Sequence, residues 1–96
     1  MKKSNTQPLK EVINEYINAL KQNPKIKETI LINSWKKVVG KIAGNATKNI
    51  YIKDRKLIVF IQSSIIRSEL LLIKDVIISR LNKEAGTNMI DDIILK

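Results

Sequence analysis

The sequence predicts an α+β fold with the element order ααββαβ, in which a three-stranded sheet packs against three helices. This prediction rests on two changes in the spacing of apolar residues along the chain. Apolar residues recur every three or four positions up to residue 46, alternate from residue 49, and return to helical spacing after residue 63. With 96 residues, of which 44% are hydrophobic, the chain is long enough for one core. We therefore expect a single domain spanning residues 1–96.

The first 46 residues predict two amphipathic helices. The first, from about Pro8 to Gln22, ends before Pro24, because the residue preceding a proline is driven out of the helical region. The second is expected to run without a break from about Ile26 to Ala46. Each has one apolar stripe. The stripe of the first helix consists of Leu9, Val12, Ile13, Tyr16, Ile17 and Leu20, and that of the second of Leu31, Trp35, Val38, Val39, Ile42 and Ala46.

A β-hairpin is predicted next. Two runs rich in β-branched and aromatic residues, Asn49 to Lys53 and Lys56 to Gln62, flank a short polar turn at Asp54 and Arg55. Ile50 and Ile52 share one face of the first strand. Tyr51 therefore points to the opposite face, and we expect it to be an exposed aromatic residue.

The last predicted elements are a helix and a strand. Helical spacing resumes after the potential cap at Ser63 and continues to about Ala85, where Gly86 supplies a left-handed cap. This helix is apolar around much of its circumference, so we expect it to lie between the sheet and the other helices. The tail from Asn88 to Lys96 then returns as a strand, parallel or antiparallel to the hairpin.

The composition excludes most enzyme classes. The chain contains no cysteine and no histidine, which removes disulfides, thiol nucleophiles, the usual zinc ligands and the commonest general base. We therefore expect a non-enzymatic protein without cofactors. Apolar runs such as Leu70 to Ile73 are far shorter than the ~20 residues of a membrane span. We expect a cytoplasmic protein that does not enter a membrane.

The positive charge is concentrated in one segment. The formal net charge is +9; residues 36–56 carry seven basic groups and one acidic group, whereas residues 57–96 carry five of each. Lysine outnumbers arginine 15 to 3, which favours contact with phosphates over bidentate readout of bases, although a lysine-rich composition alone also raises the charge. The candidate nucleic-acid-binding residues are Lys36, Lys37, Lys41, Lys48, Lys53, Arg55 and Lys56.

Three further features have ordinary structural interpretations. Gly40 and Gly44 match neither a P-loop nor the two-glycine clamp of KH domains, so we expect Gly40 to permit close packing within the second helix. Trp35 lies on the apolar stripe of that helix and is expected to anchor the core. Asp91 and Asp92 are adjacent, and we expect them to protect an edge strand rather than to hold a metal.

The combined pattern resembles the DciA-like family of bacterial replicative-helicase loaders. The segment SWKKVVGKIAGNAT is followed by a second from Tyr51 to Ile93, and the likeness covers about residues 8–95. The positions that together carry it are Trp35, Gly40, Thr47, Leu57, Ser63, Glu69, Leu70, Asn82 and Gly86. The resemblance implies a KH-like domain that binds single-stranded or forked DNA and engages the hexameric helicase DnaB.

Two other functions remain compatible with the residues themselves. One is an RNA-binding or ribosome-associated module, and the other is a protein-interaction domain whose charge serves only solubility. Longer members of that family carry an extension that could fold on the helicase. We expect none here, and we therefore expect the folded domain to contact the helicase. The oligomeric state and the face that meets the helicase are left open by the sequence.

Overall fold

The computed structural model describes the chain from residue 3 to residue 96, and its side chains from residue 8. The first two residues of the predicted domain lie outside the described residues. The helices are α1 (Lys3–Lys21), α2 (Pro24–Asn33), α3 (Trp35–Val39), α4 (Lys41–Asn45), α5 (Ser64–Leu72) and α6 (Lys74–Ala85). The strands are β1 (Thr47–Lys53), β2 (Lys56–Ile61) and β3 (Asp92–Leu95). The α+β class and the three-stranded sheet are confirmed, whereas the predicted number of helices was wrong.

The predicted second helix is divided into α2, α3 and α4. Its sharper break is at Gly40, whose φ of 96° lies outside the helical region. A Cβ at this position would meet nothing within 4 Å, so the predicted close packing at Gly40 was wrong, and glycine serves the backbone conformation instead. Close packing occurs at Gly44, where a Cβ would lie 2.5 Å from the Cγ of Lys36.

The predicted third helix is also divided, at Ile73, into α5 and α6. Its buried stripe is narrow and consists of Leu70, Ile77, Leu81 and Ala85. Ile66 and Ile78 are half-buried against this stripe, and the other large apolar side chains are exposed, Leu72 to the greatest extent at 86%. α6 packs against α2, α3 and β3, and α5 packs against β2, so the segment contacts both the sheet and the other helices as predicted, although one side of it is exposed. The left-handed cap at Gly86 is confirmed.

The sheet has the order β1-β2-β3, with β2 at its centre. β1 and β2 form the predicted antiparallel hairpin, and both turn residues, Asp54 and Arg55, have positive φ. Two left-handed residues in a two-residue turn match the right-handed twist of the strands they join. β3 pairs with β2 in the parallel direction, which settles the orientation of the tail.

One face of the sheet forms the core with the helices. The inward side chains of β2 are Leu57, Val59 and Ile61, and they cluster with buried residues of every helix from α2 to α6. α1 does not share in this core: its main packing is against α2, and its entire apolar stripe is between 40 and 66% exposed. The prediction that all helices pack on the sheet is therefore corrected for α1.

Trp35 joins the helices to the start of the hairpin. The indole is 3% exposed, which confirms its predicted role as a core anchor. Its Nε1 donates to the Thr47 hydroxyl at 2.8 Å, and that hydroxyl donates to the Ala43 carbonyl at 2.9 Å. The indole N–H is thus satisfied inside the protein, as a buried donor must be.

We predict that Trp35→Ala lowers the free energy of unfolding by about 3 to 5 kcal/mol, because it leaves a cavity in the core. Trp35→Phe is the matched control. It keeps an aromatic ring and removes the N–H, so it should lower the free energy of unfolding by considerably less. Urea denaturation followed by circular dichroism measures both. Equal, small effects of the two substitutions would contradict a packing role for the indole.

Candidate nucleic-acid interface

All seven predicted basic residues lie on the surface. They occupy four consecutive elements and the hairpin turn, so the structure does not gather them at one point. Lys36 and Lys37 are on α3, Lys41 begins α4, Lys48 and Lys53 are on β1, Arg55 is in the turn, and Lys56 begins β2.

The length of β1 divides these residues into two groups. Lys48 and Lys53 are five residues apart on one strand, which corresponds to roughly 16 Å. The first group lies around α3, α4 and the start of β1, where the stem of Lys36 runs across Gly44. The second group lies at the tip of the hairpin. A ligand that touches both groups must therefore be extended.

Arg55 has a structural partner. Its guanidinium makes two hydrogen bonds to the Asp91 carboxylate, from Nε at 2.9 Å and from Nη2 at 2.8 Å, and Nη2 also donates to the Asn88 carbonyl at 2.9 Å. The hydrogen bond from Arg55 lowers the pKa of Asp91, and the same contact raises the pKa of Arg55. Arg55 therefore holds the segment before β3 against the hairpin turn.

Lys37 is the other predicted residue with an ion-pair partner, since its Nζ lies 3.0 Å from a carboxylate oxygen of Glu84. This pair is exposed and contributes little to stability. Within the described part of the chain, the remaining five lysines form no ion pair. Lys36, Lys41, Lys48, Lys53 and Lys56 are thus the predicted residues best able to meet a phosphate.

The adjacent carboxylates are used in separate contacts. Asp91 meets Arg55, whereas Asp92 accepts from Lys74 Nζ at 3.0 Å and from the backbone N–H of Ile93 at 2.8 Å. The hydrogen bond from Lys74 is the main cause that lowers the pKa of Asp92. From residue 8 onward, no three acidic side chains come together in a way that could hold a metal ion.

The outer face of the sheet was predicted from the sequence only at Tyr51. That residue is 39% exposed, as predicted. Its ring is stacked with Phe60, with 6.4 Å between centroids and 27° between planes, and the Lys96 ammonium lies 5.8 Å from the Phe60 centroid. Phe60 and Lys96 were missed. The alternation in β2 could have located Phe60, because Leu57, Val59 and Ile61 point inward.

Comparison with protein families identifies the chain. A family model described as "Dna[CI] antecedent, DciA" matches residues 8–95. The chain belongs to the DciA family. Membership supports a role in loading the replicative helicase and implies association with DnaB. DciA is a family of helicase loaders and not a known enzyme family.

Other comparisons add nothing to the DciA assignment. No curated protein matched the chain, and no solved structure did. The KH-like classification therefore stays a prediction. None of the helices in residues 3–96 is long and apolar enough to cross a membrane.

The aspartate contacts predict how stability depends on pH. Because Asp91 and Asp92 have lowered pKa values in the folded state, their stabilisation is present above the ordinary aspartate pKa of about 3.9. It is lost as the pH falls through the folded-state values. Melting temperature measured from pH 7 to pH 2.5 should therefore fall mainly below about pH 4.

In the double variant Asp91→Asn with Asp92→Asn, the melting temperature should depend less on pH over that acidic range. Asp75→Asn is the control, since Asp75 is exposed in the first turn of α6 and forms no ion pair among residues 8–96. An acid dependence of the double variant identical to that of the unmodified protein would contradict the assignment.

Proposed function

We propose that this DciA-family protein is a non-enzymatic adaptor that binds single-stranded or forked DNA and helps to place DnaB on it. The observation that carries the proposal is the distribution of charge. Residues 36–56 hold a net charge of +6 in 21 residues, and every basic side chain in that segment is exposed. Such a concentration of positive charge attracts a polyanion and speeds its association.

The residue types favour contact with the phosphate backbone. A lysine ammonium is a compact point charge that pairs with a phosphate without a fixed orientation, whereas base readout in a groove typically uses the planar fork of arginine. The single arginine of the segment, Arg55, is bonded to Asp91. The proposed binding is therefore tolerant of sequence.

A KH-like fold remains part of the proposal. α5 and α6 form a two-helix connection between the parallel strands β2 and β3. The turn between the helices, at Ile73, contains no glycine, so it lacks the GxxG sequence with which KH domains clamp four nucleotides. DNA bound by this chain must be held elsewhere, and the lysines of residues 36–56 supply the charge.

We assign the helicase contact to α1. Its stripe of exposed apolar side chains has no partner within the core, and an amphipathic helix with a free apolar face suits a hydrophobic groove on another protein. The charged segment and the apolar stripe lie on different elements. DNA and helicase could therefore be bound at the same time, as an adaptor requires.

We predict a steep salt dependence for binding to single-stranded DNA. If four or five of the lysines meet phosphates, release of counterions gives a log–log slope of about −3 to −3.5. A fourfold rise in salt would then weaken binding by nearly two orders of magnitude. Fluorescence anisotropy with oligonucleotides of different sequence measures the slope and the expected tolerance of sequence.

Charge reversal locates the binding surface. Replacing Lys41, Lys48 and Lys53 with glutamate should flatten the slope and weaken all sequences about equally. The control reverses three exposed lysines outside the basic segment, Lys21, Lys25 and Lys83. Equal effects of the two triple variants, or a slope near zero in the unmodified protein, would show that the lysines serve solubility. Preferential binding to ribosomal RNA would favour the RNA-binding alternative.

If α1 contacts the helicase, substitutions on α1 should weaken binding to DnaB and not binding to DNA. Leu9→Ser with Tyr16→Ser should weaken binding to the cognate DnaB at least tenfold, while the melting temperature and the affinity for DNA stay nearly unchanged. The matched control is Ile65→Ser with Leu72→Ser, which removes apolar groups that are even more exposed from α5. Biolayer interferometry with immobilised DnaB makes the comparison. Undiminished binding by the α1 variant would exclude this helix as the contact.

A further inference from the structure

We propose that the outer face of the sheet is a base-stacking platform for single-stranded DNA, on which Tyr51 and Phe60 meet bases while Lys53 and Lys56 meet the flanking phosphates. The inference rests on the proposed DNA-binding function. It specifies the surface that binds DNA and adds a second kind of contact. The lysines contact the phosphate backbone, whereas the aromatic rings stack on the bases.

The strand register places these residues on one face. Lys53 is opposite Lys56, Tyr51 is opposite Ile58, and Asn49 is opposite Phe60. Since side chains alternate along a strand, this set faces away from Leu57, Val59 and Ile61, which line the core. Positive charge and aromatic rings therefore share the side of the sheet that the core-forming helices do not occupy.

The aromatic part of this face lies beside a buried side chain. Ile58 lies between Tyr51 on β1 and Ile94 on β3, and it is only 7% exposed. A Tyr51 ring that lies beside buried Ile58 and is stacked with Phe60 has limited freedom before a ligand arrives. Limited freedom in the unbound state reduces the entropy lost when a base stacks on the ring.

The charges of the face select a polyanion as the occupant. Lys53 and Lys56 lie at the turn end of this face, and Lys96 lies over the Phe60 ring. The carboxylate that the register places on the same face, Asp92, is held by Lys74. An apolar protein partner would leave these ammonium groups without counter-charges. A single strand of DNA supplies phosphates for the lysines and unpaired bases for the rings.

Stacking also agrees with sequence-tolerant binding. Every base has a π-face, so a tyrosine or phenylalanine can stack on any of them without reading hydrogen-bond patterns. A duplex keeps its bases stacked on one another and offers this face only phosphates. The platform therefore predicts a preference for single strands that charge alone does not explain.

The first test compares a 20-nucleotide strand of thymidines with an abasic strand of the same length. Tyr51→Ala should weaken binding to the thymidine strand by about 5- to 150-fold and to the abasic strand by less than twofold. The salt slope should not change. Ile42→Ala is the matched control, because Ile42 is 78% exposed within the basic segment but lies on α4. Equal losses on both strands would overturn the platform.

The second test uses the unmodified protein, so it decides the matter even if Tyr51→Ala fails to fold. Strands carrying 5-bromodeoxyuridine are irradiated with the protein, and the crosslinked peptide is identified by mass spectrometry. Crosslinks at Tyr51 or Phe60 are expected. Crosslinks confined to Tyr16, or to any residue off the sheet, would overturn the proposal.

The outcomes separate the platform from the function on which it rests. An unmodified protein that does not bind single-stranded DNA overturns both. Salt-dependent binding that Tyr51→Ala leaves intact, with no crosslink on the sheet, overturns the platform and leaves the phosphate-binding adaptor standing. Tighter binding to the matching uridine RNA than to the DNA strand would overturn the assignment of DNA as the ligand.

Discussion

The structure depends on the burial of one face of β2. This central strand is paired on both sides, and its inward side chains Leu57, Val59 and Ile61 lie against five helices. Because the chain has few aromatic residues, the burial of aliphatic side chains makes the main favourable contribution to the free energy of folding. Because side chains alternate, burial of this set obliges Ile58 and Phe60 to face the other way. The outer face of the sheet is thus a direct consequence of how the core is built.

Side-chain hydrogen bonds place the elements around that strand. The Trp35 indole fixes α3 to the start of β1 through Thr47. Asn82 fixes α6 to the segment before β3, since its carboxamide oxygen accepts from the backbone N–H groups of Met89 and Ile90 and its Nδ2 donates to the Ile90 carbonyl. Arg55 ties the same segment to the hairpin turn. Each contact spans a junction where the backbone changes direction, so together they set the positions of both edge strands.

The surface divides into regions of different chemistry. The lysine groups lie around α3, α4 and the two ends of β1, the apolar stripe lies on α1, and the aromatic pair lies on the outer face of the sheet. α1 is joined to the rest mainly through α2, and the structure extends to 61 Å along its longest axis. Under the proposed function, this separation would allow DNA and helicase to be engaged by different parts of one small protein.

The sequence alone determined the features that depend on local period and local chemistry. The fold class, the hairpin, the cap at Gly86, the burial of Trp35 and the exposure of Tyr51 followed from residue spacing, because hydrophobic period reports directly which face of an element is buried. The family could also be identified from the spacing of residues along the chain. The concentration of charge in residues 36–56 was likewise visible, although not its division into two groups.

Only the tertiary structure decided the features that depend on contacts between distant residues. An apolar stripe does not reveal whether anything covers it, so α1 and the outer side of α5 and α6 were expected to be buried although they are exposed. The positive φ of Gly40 breaks the helix, although the helical spacing of apolar residues continues on both sides of it. In the sequence, Arg55 is a cation that could meet a phosphate. In the fold, its guanidinium is bonded to Asp91, which is 36 residues away in the chain. The pairing of Tyr51 with Phe60 likewise requires the register of two strands, which hydrophobic period does not specify.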